Sequence, residues 1–116
     1  MKRNGVNQVK RYIKLLATLT DPKQQSIIIK RSPDSVIKTI CNAALNAQKG
    51  DIKISPQVKK KFAARRKLFN QLVSKKISIQ KKRKYLNQRG GFAILPLLLS
   101  TVLSSVGSLL FEKLVK

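Results

Sequence analysis

From Ile52 to Arg89 the chain carries fourteen Lys and Arg residues and no Asp or Glu. Directly after this segment, Gly90 to Phe111 is a run of 22 residues without a charge. The first stretch resists burial because its charges have no internal partners. The second resists exposure because it is largely Leu, Val and Ile. A fold for this chain must turn one outward and hide the other, and both demands fall in its second half.

The remainder is milder. Residues 1–51 carry ten basic and three acidic residues, and residues 90–116 hold Glu112, Lys113 and Lys116. Three segments follow: a helical core segment (1–51), a basic helical segment expected to bind nucleic acid (52–89), and a hydrophobic tail after a Gly-Gly junction (90–116). Over 116 residues the formal charge is +22 and the pI about 11.1, enough for one small domain that repels itself unless anions are near. Nucleic-acid phosphates are the first partner such a charge implies, because neutralising them releases condensed counterions. An anionic membrane surface is the second, at about 1 kcal/mol per basic residue.

Residue types narrow the chemistry. The chain has no His, which excludes a His base and a His-ligated metal. Its single cysteine, Cys41, forms no internal disulfide and falls on an apolar helix stripe, where it reads as a small hydrophobe. Four acids, no His and one such Cys leave little to build an active site, so no enzyme, metal or cofactor is expected. The amino terminus, MKRNGVNQVKRYIK, has no apolar run of signal-peptide length.

Apolar spacing predicts an all-α bundle of four or five short helices, with a basic C-terminal half and a hydrophobic C-terminal helical tail. Val9, Tyr12, Ile13, Leu16 and Leu19 share one face of a helix over 7–20. Asp21-Pro22 stops it and starts the next turn, with Gln24 at the capping-box position, while Ser26–Ile29 fits either helix or extended chain. Ser32-Pro33 repeats the start signal before the stripe Val36, Ile37, Ile40, Cys41, Ala44, Leu45, which Gly50 ends. Ser55-Pro56 opens a helix over 56–75 with Val58, Phe62, Phe69, Leu72 and Val73 to one side. Ser78 caps a last basic helix over 79–88, ended by Gly90-Gly91.

The basic segment is the candidate phosphate surface. Its clusters are Lys59, Lys60, Lys61, then Arg65, Arg66, Lys67, then Lys81, Lys82, Arg83, Lys84, joined by Lys75, Lys76 and Arg89. A merely solvated helix face or a nuclear-import signal is the plainer reading of such runs, but a merely solvated helix usually interleaves charge signs, and here fourteen bases run without one acid. Only Tyr12 and Tyr85 offer stacking faces, Trp is absent, and no zinc-finger or RNA-recognition signature is present. Sequence-independent, salt-sensitive binding is therefore expected.

The uncharged run is close to bilayer-spanning length, but Pro96 interrupts it and Ser100, Thr101, Ser104, Ser105, Gly107 and Ser108 dilute it. Phe92, Leu95, Leu97, Leu98, Leu99, Val102, Leu103, Leu109, Leu110 and Phe111 are its candidate contacts with a membrane or a partner protein. A core helix packing on the bundle is the alternative, the Ser, Thr and Gly positions supplying its polar side.

The junction is the most specific feature. Basic residues run into Gln88-Arg89-Gly90-Gly91, then Phe92-Ala93-Ile94-Leu95-Pro96-Leu97-Leu98-Leu99. Over about residues 81–111 this resembles the precursors of adenovirus core protein X (pre-mu), in which a basic DNA-condensing part meets Gly-Gly and a Leu-Pro-containing tail. The resemblance implies that a viral cysteine protease cuts after Gly91, with Gly90 and Gly91 before the scissile bond and Phe92 after it. Gln88 stands where that protease usually meets an aliphatic residue. Residues 1–80 are similar instead to proteins of Maverick/Polinton and adintovirus-type elements, through a pattern around Ile37, Cys41, Ala44 and Asn46 ahead of the basic helix.

These readings converge on a virion core protein that condenses double-stranded DNA without sequence preference, sited in the virion core and, during assembly, in the host nucleus. The resemblance favours double-stranded DNA; composition alone leaves RNA open. The alternative is a membrane-active virion protein whose tail inserts into or disrupts bilayers. In that case the tail's partner is lipid, and in the first it is a capsid protein or the protease. A host-directed nuclear protein is a third reading.

Overall fold

The computed structural model describes residues 2–50 and 54–105. Among them are seven α-helices and no strand. They are α1 (Lys2–Thr18), α2 (Pro22–Arg31), α3 (Asp34–Lys49), α4 (Pro56–Ala64), α5 (Arg66–Val73), α6 (Ile79–Leu86) and α7 (Arg89–Ser105).

Three starts are made by side-chain caps. Asp21 accepts from the Lys23 N–H at 2.9 Å, Ser55 from Val58 at 3.2 Å and Ser78 from Lys81 at 3.2 Å. Each satisfies an N–H that the helix cannot, which contributes about 1 kcal/mol. Ser32 behaves differently from the sequence expectation. It closes α2 with its hydroxyl on the Ile29 carbonyl, and Pro33 takes the N-cap of α3 with no side-chain cap bond. Gly50 ends α3 at φ 85°, a left-handed position that costs a residue with a Cβ strain.

The helix count exceeds four or five because Ser26–Ile29 is helical, continuing α2, because the segment 56–75 is two helices rather than one, and because the tail adds α7 to the bundle. The break lies at Arg65 (φ −116°, ψ 36°), with neither Pro nor Gly to mark it. The break goes with a ring contact. Positions seven apart already share one face of a straight helix, about 10 Å apart along it; here the rings of the buried Phe62 and Phe69 sit 4.8 Å apart, tilted by 43°.

Helix α3 is central, packing on α1, α5, α6 and α7. Val36, Ile37, Thr39, Ile40, Cys41, Ala43, Ala44 and Ala47 are all buried, a wider face than the expected stripe, and Leu45 is half-buried. The three alanines let neighbouring helices approach closely. Thr39 meets the cost of burial by donating to the Ser35 carbonyl at 2.7 Å.

The described part of the expected tail lies inside this bundle. Helix α7 packs against α1, α3 and α6, and Ile94, Leu95, Leu98, Leu99 and Val102 are at most 1 % exposed. Pro96 is exposed, so the ladder bond it withholds is lost on the solvent side. Gly90 and Gly91 do not end a helix as expected. Helix α6 stops at Leu86, and the two glycines fall in the first turn of α7.

Candidate nucleic-acid interface

The bases of the middle segment divide according to how their helices are buried. On α4, Phe62 is the buried contact, Val58 is half-buried, and Lys59, Lys60 and Lys61 face solvent. On α5, Phe69 and Leu72 point inward, leaving Arg66 and Lys67 exposed, with Arg65 exposed at the bend. Lys75 and Lys76 are exposed in the turn that follows, where Ser74 Oγ accepts from the Lys76 N–H at 3.2 Å. Lys81 and Lys84 are exposed on α6. The side chain of Arg89 lies outside the described part of the molecule.

Two of the predicted phosphate contacts are not on this surface. Lys82 is 9 % exposed, on the inward face of α6 near Cys41. Its positive charge pulls the Cys41 thiol down, but burial outweighs that and pushes the thiol up from 9.0 to about 12. Arg83 is committed to the fold. Its Nη1 donates to the Ile29 carbonyl at 2.6 Å, to the Ser32 carbonyl at 2.8 Å and to Ser32 Oγ at 3.2 Å. Its Nη2 pairs with Asp34 Oδ1 at 2.6 Å. One guanidinium thus ties the end of α2 and the start of α3 to α6.

Ten exposed cations remain on α4, α5, α6, the bend at Arg65 and the turn between α5 and α6, and these helices carry no carboxylate. Both carboxylates among the described residues serve local structure, Asp21 as a cap and Asp34 as the partner of Arg83. No group of His, Cys, Asp and Glu among the described residues is arranged to hold a metal ion.

Two clefts open beside the cations. The first, about 360 Å³, lies between the end of α3 and α4–α5, with Phe62 and Phe69 behind Lys59 and Arg66. The second, about 400 Å³, lies between α5 and α6 and is lined by Arg65, Lys67, Leu68, Gln71, Tyr85 and Gln88. Tyr85 had a sequence signal, as one of two aromatic residues able to stack. Gln71 and Gln88 had none, because only the packing of α6 on α5 brings them together.

The predicted tail contacts are placed less favourably for an outside partner. Leu95, Leu98, Leu99 and Val102 are core residues, while Leu97 and Leu103 are half-buried. Leu109, Leu110, Phe111 and the side chain of Phe92 lie outside the described residues. Among the described residues no helix is long and apolar enough to cross a membrane.

Comparison with protein-family models, with curated proteins and with solved structures finds no match to this chain.

Proposed function

We propose that this chain is a non-enzymatic protein that binds nucleic acid through its phosphates, without reading sequence. One observation carries the proposal: ten exposed cations on α4–α6 with no carboxylate on those helices. Such a surface neutralises a polyanion along a stretch of backbone, and the counterions released supply the favourable free energy. Arg65 and Arg66 add donors that grip phosphate oxygens in pairs, and the lysines act as mobile point charges.

The resemblance at Gln88–Leu99 supports packaged double-stranded DNA as the polyanion and the virion core as its place. It also supports cleavage after Gly91 by a viral cysteine protease. The helical setting of Gly90 and Gly91 adds a condition. A protease cleft takes an extended strand, so the first turn of α7 must open before the bond is cut. Release of residues 92–116 then removes Ile94, Leu95, Leu98, Leu99 and Val102 from the core. Cleavage would turn a folded bundle into a looser polycation.

Two duplexes of equal length and unrelated sequence test the proposal. Equal affinities that fall together with added salt are expected. A strong preference for one sequence at all salt concentrations contradicts it. The mass of the chain recovered from particles tests the cleavage step: a chain ending at Gly91 supports it, and an intact chain refutes it.

A further inference from the structure

We propose that the cleft between α5 and α6 is a subsite for one unpaired nucleobase, stacked on Tyr85 with its phosphates held by Arg65 and Lys67. This rests on the nucleic-acid reading above and specifies what one part of that surface recognises.

The cleft unites three kinds of group that a nucleotide needs. Tyr85 is half-buried and packs against the core, so its ring is held in place before any ligand arrives. Leu68 adds an apolar wall, and Gln71 and Gln88 bring amide donors and acceptors suited to any base edge. Arg65 and Lys67, both exposed, stand at the same cleft. A volume of about 400 Å³ falls within the range of small-molecule sites.

Two other clefts among the described residues each lack one of these elements. Beside Lys59 and Arg66, the rings of Phe62 and Phe69 are spent on each other and on the core, each only 6 % exposed. The groove among α1, α2 and α7, about 470 Å³, is lined by Leu16, Leu19, Pro96 and Leu99 and carries no cation.

A base inside a duplex has both faces covered by its neighbours and cannot enter such a cleft. The subsite therefore distinguishes single strands, ends and opened duplex from intact duplex. Stacking on an aromatic side chain is worth about 5- to 150-fold in affinity per base, and that factor persists where salt has weakened the phosphate contacts.

The test uses the full chain with Tyr12→Phe, which leaves Tyr85 as the sole strong emitter because Trp is absent. Three probes of equal phosphate number are titrated: a single-stranded oligonucleotide, an abasic strand and a duplex. The single strand is expected to quench Tyr85 emission and to bind about 5- to 150-fold more tightly than the abasic strand, while the duplex leaves the emission unchanged. Tyr85→Leu, checked for retained helicity, should lower the single strand to the abasic level without changing abasic binding. Equal affinity for the single and abasic strands, with no quenching, overturns the subsite and leaves the phosphate reading intact. Failure of all three probes to bind overturns both.

Discussion

Arg83 donates to the main-chain carbonyl of Ile29 at 2.6 Å, across 54 positions of sequence. The Ile29 carbonyl is one of the last of α2, a group its own helix cannot satisfy. With the Ser32 carbonyl and the Asp34 carboxylate, it makes Arg83 the staple of the α2–α3 turn. The Arg83 side chain is 14 % exposed, so its bonds to the two carbonyls are largely shielded from water, whereas the Asp34 carboxylate, 55 % exposed, meets it at the surface. Replacing Arg83 by Ala should cost about 2–4 kcal/mol, since it takes the charged donor from the part-buried Ser32 carbonyl and leaves the Ile29 carbonyl with the Ser32 hydroxyl alone. Arg83→Lys should recover less than half, because an ammonium lacks the fork that reaches Ile29, Ser32 and Asp34 together. The urea midpoint measures both. A midpoint unchanged in Arg83→Ala contradicts the assignment.

Helix α7 makes the most hydrophobic segment indispensable rather than accessory. Fully burying a Leu, Ile or Val contributes about 1.5–3 kcal/mol. Five such residues on α7 therefore match the stability of an entire small domain, about 5–15 kcal/mol. Leu98→Ala should lower stability by about 3 kcal/mol. A chain ending at Gly91 should show no cooperative thermal transition by circular dichroism. A sharp transition in that shortened chain would mean that α7 is dispensable.

Cys41 should resist thiol reagents in the native protein at neutral pH and react in denaturant, because burial shields its thiol from the reagent and disfavours the thiolate. The same burial links stability to pH. The thiol is raised in the fold to about 12 from its ordinary 9.0. Below 9 both states are protonated and the fold keeps its full contribution. Above 9 the unfolded chain ionises first, so stability falls steadily until about 12. Cys41→Ala should lack this component, so the difference between the two proteins should narrow or reverse in that window. Parallel stability curves through the window contradict it.

Neighbouring bases should differ sharply in function. Lys60 is exposed on α4, whereas Lys82 is 9 % exposed beside Cys41. Lys60→Gln should flatten the dependence of log K on log salt by up to about 0.9, the loss of one phosphate contact. Lys82→Gln should leave the slope unchanged. Equal effects would show that exposure does not decide which bases bind.

Much of the local structure was legible because it is set by near neighbours. Asp21, Ser55 and Ser78 announce their helices, Gly50 ends α3, and Val9, Ile13 and Leu16 mark the inner face of α1. What escaped the sequence depends on distant partners. The bend at Arg65 coincides with the contact between the rings of Phe62 and Phe69, and neither Pro nor Gly marks it. The Lys81–Lys84 run looks uniform, yet α6 is packed on two sides and turns Lys82 and Arg83 inward. Length and greasiness suggested that α7 stands apart, but a bundle with so charged a surface needs its apolar mass from somewhere. Among the described residues, α7 supplies five of the fully or almost fully buried aliphatic side chains.

The most direct test of phosphate neutralisation is duplex DNA affinity measured from 50 to 200 mM salt. If about five of the ten exposed cations meet phosphates, log K should fall against log salt with a slope of about −4.5, several-hundred-fold across that range. Changing Lys59, Lys60 and Lys61 together to Gln should make the slope clearly shallower. An affinity that barely moves with salt, or a slope untouched by the triple change, contradicts the account.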